Sequence, residues 1–278
     1  MSRVAAIQMA SGPNISANLL EAGRLIAQAA ADGAKLIVLP EDFALIGFDQ
    51  DRMKAREVDG KGPIQDFLAQ HSARHGVWIV GGTVPLVANA SDKIRAACLV
   101  YDATGQRVAR YDKIHLFDVY LEETGEKYTE SLTIEPGTST LVIDTPFGRM
   151  GLAVCYDLRF PELLREMLDR RFEIVALPAA FTAITGKAHW ESLVRARAIE
   201  NLCYVVAAAQ GGYHLNGRET HGDSMIVDPW GVILDRLARG SGVVSATINQ
   251  KRLLSIRRNF PTIEHIRLHC AIDTSTYT

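Results

Sequence analysis

One thiol in this chain stands where chemistry explains it better than packing does. Cys155 ends the apolar run Gly151-Leu152-Ala153-Val154 and opens the polar segment Cys155-Tyr156-Asp157-Leu158-Arg159-Phe160-Pro161. A strand that delivers a thiol into a turn places a nucleophile beside backbone N–H groups able to hold an oxyanion, that of Tyr156 first among them. Leu36-Ile37-Val38-Leu39-Pro40-Glu41 puts a carboxylate after an apolar run. Partial desolvation there raises its pKa and suits it to carry a proton near neutrality. Arg110-Tyr111-Asp112-Lys113-Ile114-His115-Leu116 supplies an amine. Tyr111, Ile114, Leu116 and Phe117 predict partial burial of Lys113, whose ammonium would stabilise a thiolate and a tetrahedral oxyanion. Asp112 and His115 compete with it, since a Cys-His pair is the more familiar arrangement and spacing does not decide. Blander readings exist for each residue: a packed cysteine, a carboxylate paired with arginine, a surface lysine.

The elements that must position these groups come from hydrophobic patterning. Val4 to Met9 reads as a buried strand. A helix capped by Asn14 or Ser16 follows, with Leu19, Ala22, Ile26 and Ala29 on one face. Leu36 to Leu39 is the next strand. Gly62-Pro63 opens a helix to about Arg74, and Val77 to Val80 is a strand. Three hairpins are predicted, around Asp102-Ala103-Thr104-Gly105, Thr145-Pro146-Phe147-Gly148 and Asp228-Pro229-Trp230-Gly231. Pro161 to about Leu168 and Lys187 to Asn201 read as helices, and Ile174 to Leu177 and Tyr204 to Ala208 as strands. Val243 to Ile248 is a late strand before a helix near Asn249 to Arg257. Helical crossovers mixed with hairpins imply α/β layers whose sheets contain antiparallel pairs. Leu36 to Glu41 echoes Ile174 to Ala179, which hints at two similar halves.

Bulk properties set the bounds. A chain of 278 residues with 47% hydrophobic content can bury a large core, and one domain is expected. A formal net charge of -2 and only short basic stretches give no reason to expect a nucleic-acid or anionic-membrane partner. No apolar run is long enough to span a bilayer, and the N-terminus enters a strand directly, so cytoplasmic residence is expected. The four cysteines are too scattered for a disulfide scaffold or a zinc pattern. Cys98 and Cys203 sit in apolar runs, and Cys270 in the tail. No Gly-x-Gly-x-x-Gly or Gly-Lys-Ser/Thr phosphate loop is present.

Taken together and in order, the segments around Glu41, Lys113 and Cys155 resemble the nitrilase superfamily of carbon–nitrogen hydrolases, over Val4 to about Arg267. The resemblance implies a Glu-Lys-Cys triad of Glu41, Lys113 and Cys155, which demotes His115 to support. It also implies a second glutamate that positions the lysine, for which Glu130 is in place. The implied fold is a four-layer α-β-β-α sandwich in a single domain with a short C-terminal tail. A homodimer is implied too, with the helix after Cys155 and the Lys187–Asn201 helix as contact elements.

The implied reaction is amide hydrolysis through a cysteine thioester, with no metal or organic cofactor. Arg195-Ala196-Arg197-Ala198-Ile199-Glu200, Cys203 to Gln210 and Val227-Asp228-Pro229-Trp230-Gly231 resemble the Nit branch. That points to a small-molecule amide substrate, deaminated glutathione first, cleaved to 2-oxoglutarate and cysteinylglycine. Omega-amidase action on 2-oxoglutaramate is the nearest alternative, followed by carbamoyl or aliphatic amides, nitriles, and a silent binding protein. Tyr156, Arg159, Phe181 and Thr182 are the candidate substrate contacts, with Arg218 and the Tyr213-His214 loop as further sources of carboxylate-binding groups. Arg159 has a competing reading as a structural salt-bridge partner, and Trp190 one as packing. The acidic segment from Asp118 to Tyr128 is a candidate lid or rim.

Overall fold

The structure, a computed structural model, describes residues 1–90, 92–123 and 125–268; Cys270 lies outside them. The first part of the chain forms β1 (Ser2–Gln8), α1 (Ile15–Ala31), β2 (Leu36–Val38), α2 (Asp49–Lys54) and α3 (Pro63–His75). Then come β3 (Trp78–Val80), β4 (Val84–Val87), β5 (Ile94–Tyr101) and β6 (Arg107–Asp112), and a small hairpin of β7 (Asp118–Leu121) and β8 (Glu126–Thr129). The second part holds β9 (Val142–Thr145), β10 (Gly148–Leu152), α4 (Pro161–Met167), β11 (Ile174–Ala179), α5 (Ala183–Asn201) and β12 (Tyr204–Ala209). It finishes with β13 (Ser224–Val227), β14 (Ile233–Leu237), β15 (Gly242–Ile248) and α6 (Gln250–Asn259).

Strand periodicity explains the layers. In β1, Val4 and Ala6 enter the core between the two large sheets, while Ala5 and Ile7 face α1 and α3. In β2, Leu36 points to the inter-sheet core and Ile37 to the helices, and in β5 Cys98 and Val100 alternate with Ala97 and Leu99 in the same way. Such strands are apolar on both faces, so they read as continuous hydrophobic runs. Across the inter-sheet core lie Met150, Leu152, Ala176 and Val206, and beyond them Leu163, Leu164, Trp190 and Val194 of α4 and α5. The result is the expected α-β-β-α sandwich.

The seven-stranded sheet runs β15-β1-β2-β3-β5-β4, with β6 also on β5, and the six-stranded sheet runs β14-β13-β12-β11-β10-β9. The echo between Leu36–Glu41 and Ile174–Ala179 corresponds to β2 and β11, each flanked by parallel neighbours in its own sheet. All three predicted hairpins are present as antiparallel pairs, β5–β6, β9–β10 and β13–β14.

Local chemistry sets the element ends. Asn14 caps α1, its side chain accepting the Ala17 N–H at 3.0 Å. Helix α5 starts at Ala183, one turn earlier than periodicity suggests, because the Thr182 hydroxyl accepts the Thr185 N–H and supplies a cap. Gly186, which reads as a poor helix residue, is required there, since a Cβ would come within 2.2 Å of His221. At Gly82, with φ +55°, a Cβ would stand 2.1 Å from the Pro40 carbonyl oxygen. The glycine lets the chain pass close beneath the loop that carries Glu41.

Candidate active site

The three segments singled out in sequence converge on one cleft of about 290 Å³. Glu41, Lys113, Glu130 and Cys155 line it, together with Tyr156, Arg159, Phe181, Thr182 and Arg218. Glu41 follows the end of β2 and Lys113 the end of β6, both in the seven-stranded sheet. Cys155 follows the end of β10 in the six-stranded sheet. The cleft is therefore built where strand ends of both sheets meet.

Cys155 has φ +49° and opens a short 3-10 turn, Cys155–Arg159. A left-handed non-glycine residue is costly, by roughly 1–3 kcal/mol, and persists only where its surroundings enforce it. Asp157 does so here. Fully buried, it accepts hydrogen bonds from the Val154 N–H at 2.9 Å, the Tyr111 hydroxyl at 2.7 Å and the His115 N–H at 3.0 Å. The strand-to-turn elbow is thereby locked to β6. The thiol itself accepts the Ala180 N–H at 3.5 Å. Tyr156, second in the turn, has an N–H without a partner inside it.

Lys113 bridges two carboxylates. Its Nζ donates to Glu41 Oε1 at 2.8 Å and to Glu130 Oε1 and Oε2 at 3.0 and 2.8 Å. Glu130 also accepts the Phe117 N–H at 2.8 Å. Lys113 is 1% exposed, Glu41 4% and Cys155 8%. Burial acts to lower the Lys113 pKa, but the charges of Glu130, Glu41 and Cys155 outweigh it, so the amine stays an ammonium. Burial raises Glu41, with Asp42 and Glu130 adding to it against Lys113. Burial works the same way on Glu130, but the Lys113 charge and hydrogen bond, the Phe117 N–H and Arg52 hold it below the usual carboxylate range. Burial and then the Glu41 charge push the Cys155 thiol well up, with Lys113 opposing. The two carboxylates are thus driven in opposite directions, Glu130 toward its ionised form and Glu41 toward its protonated one.

The alternatives left open by spacing are resolved by direction. Asp112 turns to Arg110, with contacts of 2.8 and 3.0 Å. His115 Nδ1 lies 2.7 Å from Asp157 Oδ1 and its ring stacks on Phe160 at 3.7 Å. Neither lines the cleft. Cys98 and Cys203 are fully buried core residues, the latter pushed up to about 12 by burial.

The remaining candidates fall into place unevenly. The Arg159 guanidinium stacks over Phe181 at 5.0 Å and Tyr156 at 5.8 Å, and donates to His189 Nδ1 at 3.1 Å. No carboxylate among the described residues lies within 4 Å of it, so it is not a structural salt-bridge partner. Thr182 lines the cleft, but its hydroxyl is engaged in capping α5. Trp190 is core, donating to the Asp223 carbonyl at 2.7 Å and packing edge-on against Phe181. Tyr213 is exposed, and His214 uses both ring nitrogens on Ser11 and Thr220, so neither reaches the cleft. The acidic segment forms the β7–β8 hairpin beside the site, where Tyr128 packs on Phe117 at 5.0 Å. Sequence reading missed Arg52, Ala180 and Thr185, and took Phe117 only as cover for Lys113. Arg52 lies behind the carboxylates, paired with Asp42 at 2.8 Å. Nothing in its exposed-looking helix α2 signals that role.

Comparison with known proteins identifies the family. The carbon-nitrogen hydrolase family model matches residues 3–258. A deaminated glutathione amidase of Yersinia enterocolitica is 40% identical over 267 residues, covering 96% of this chain and 93% of that protein. The human deaminated glutathione amidase is 38% identical, covering 95% of this chain and 82% of that protein. Among solved structures, the C. elegans NitFhit protein superposes with a TM-score of 0.88 at 33% identity; it covers 96% of this chain, which spans 65% of that protein's length. Saccharomyces cerevisiae Nit3, a member of branch 10 of the nitrilase superfamily, gives 0.84 at 30% identity, covering 94% of both chains. With its sandwich fold and with matches along nearly its whole length, this chain belongs to the carbon–nitrogen hydrolase family of the nitrilase superfamily.

Proposed function

We propose that the protein hydrolyses deaminated glutathione to 2-oxoglutarate and cysteinylglycine, through a thioester on Cys155. The observation that carries the chemistry is the bridge from buried Glu41 and Lys113 to half-buried Glu130, in the same cleft as the strained thiol. Glu41 takes the thiol proton as the sulfur attacks the amide carbonyl. Lys113 and the Tyr156 N–H hold the oxyanion. The C–N bond breaks, the amine leaves with the proton from Glu41, and Glu41 then activates water to cleave the thioester. Glu130 keeps Lys113 in place and charged. No step uses a metal or organic cofactor.

The substrate assignment rests on the named relatives and on Arg159. A guanidinium with no carboxylate of its own, backed by aromatic faces, suits the carboxylate of a 2-oxo acid. Residues 4–267 work as one catalytic unit, since the site draws on both sheets. We assign the protein to the cytoplasm, where thiols stay reduced, and to a homodimer through α4 and α5. Exposed Ile199 on α5, with Trp230 and Val232 nearby in the fold, favours that face. Among the described residues no helix is long and apolar enough to cross a membrane.

The test is a substrate panel of deaminated glutathione, 2-oxoglutaramate and a carbamoyl amine, with 2-oxoglutarate and ammonia followed separately. Deaminated glutathione is expected to give the highest kcat/KM, releasing 2-oxoglutarate without ammonia. Equal or faster turnover of 2-oxoglutaramate would make the protein an omega-amidase instead.

A further inference from the structure

We propose that Arg218 binds the carboxylate of the departing amine, so that the enzyme selects substrates by the group they lose as well as by the acyl group they keep. The inference rests on the function proposed above and adds a second anchor to it. Arg218 stands on the loop after β12, which is closed by a bridge between Tyr213 and Glu219. The His214 N–H donates to the Arg218 carbonyl at 2.9 Å, and the Arg218 N–H donates to Asn216 Oδ1 at 3.2 Å. The backbone is thus fixed and the guanidinium is delivered into the cleft.

That guanidinium is incompletely satisfied. Nη2 donates to the Ala180 carbonyl, and the group lies over the Tyr128 ring at 5.6 Å. Its Nε is buried without a hydrogen-bond partner. Among the described residues no carboxylate lies within 4 Å of it, whereas Arg52, Arg197, Arg236 and Arg252 each pair with one. A planar fork with unused donors, held by an aromatic face in a cleft, matches a carboxylate.

The position assigns which carboxylate. Ala180 gives its N–H to the Cys155 sulfur and its carbonyl to Arg218, so a single residue separates nucleophile from guanidinium. Arg159, the other arginine lining the cleft, stacks on Phe181, the residue after Ala180. An amide centred on the sulfur therefore has two arginines available within one cleft. Arg159 shares the 3-10 turn of Cys155 and stays beside whatever acyl group is bound there. Arg218 stands on a separate loop, over Tyr128 of the β7–β8 hairpin and near exposed Tyr213 and Leu215, and is the arginine left for the departing amine. The ligand class is an amine bearing a carboxylate at its far end, as a dipeptide does.

The test compares deaminated glutathione with its glycinamide counterpart, identical except for a neutral terminus, on wild type, Arg218→Gln, Arg218→Lys and Arg159→Gln. Wild type is expected to prefer the carboxylate. In Arg218→Gln that preference, as a ratio of kcat/KM values, should fall by about 10- to 100-fold, mainly through KM, with part of it restored in Arg218→Lys. Arg159→Gln should depress both substrates alike and leave the ratio. Equal loss on both substrates in Arg218→Gln, a wild-type ratio in that variant, or a wild type with no preference would overturn the assignment. A wild type that turns over neither substrate would instead overturn the proposed function. Melting curves of the variants separate loss of fold from loss of recognition, and Arg218→Lys carries the comparison if Arg218→Gln does not fold.

Discussion

The Lys113 ammonium stands 2.8 Å from a Glu41 oxygen, although the two residues are 72 positions apart and both are buried. The contact joins the ends of β2 and β6. Lys113 also binds Glu130, so one buried cation serves two carboxylates. A buried ion cluster of this kind is poor at stabilising a fold, because desolvation cancels much of its attraction. Its form suits a site where a proton must move.

Removing the cation should expose that cost. Lys113→Met leaves buried Glu41 and half-buried Glu130 without it, and is expected to destabilise the protein by about 3–5 kcal/mol at neutral pH. Burial would then act on both carboxylates without Lys113 to oppose it, and Glu41, already raised, would move further up. Their penalty is absent at low pH and grows as pH rises, so the variant should gain stability on acidification from pH 8 to pH 5. Thermal melts across that range check this; a penalty independent of pH would contradict it.

Asp42 and Arg52 should tune the acidic limb of kcat/KM in opposite directions. Asp42 raises the Glu41 pKa, and Arg52 lies close enough to interact with Glu41 and Glu130. Activity should rise with pH as Glu41 becomes a base. Asp42→Asn is then expected to shift the limb to lower pH and Arg52→Gln to higher pH. The limb reports the coupled site, not one residue, but the opposite signs are a clear outcome of pH–rate profiles. Shifts of the same sign would exclude this arrangement.

Backbone strain at Cys155 makes a stability prediction. At φ +49° an alanine keeps the left-handed penalty and glycine does not. Cys155→Gly should therefore be as stable as Cys155→Ala or up to about 1 kcal/mol more stable, by denaturant unfolding. At Ala153, in the extended segment before the elbow, Ala153→Gly should cost about 0.5–1 kcal/mol. A clearly less stable Cys155→Gly would mean the elbow is not strained.

Most strands of the two large sheets and most helices were legible because the central strands are buried on both faces, whereas β4 and the β7–β8 hairpin gave no such signal. Val4–Met9, Leu36–Leu39 and Ile174–Leu177 therefore stand out as apolar runs between turn residues. Glu41 and Cys155 were legible for the same reason, as polar groups ending such runs. Lys113 was not separable from Asp112 and His115 by local pattern alone, since strand direction at the end of β6 decides which side chain enters the cleft. Thr182 capping was obscured by Gly186, whose presence answers to His221, a contact across 35 positions of chain that no local rule contains. Arg52 and Ala180 were invisible for a related reason: one acts through charge from behind the site, and the other through its backbone alone.

The central claim is that Cys155 carries the acyl group. Acid-quenched enzyme taken during turnover of deaminated glutathione, digested and measured by mass spectrometry, tests it most directly. The expected result is a 2-oxoglutaryl adduct on the peptide containing Cys155, absent in Cys155→Ala, whose turnover should fall at least about 10⁴-fold while its fold persists. Undiminished turnover by Cys155→Ala, or an adduct on another residue, would contradict the account.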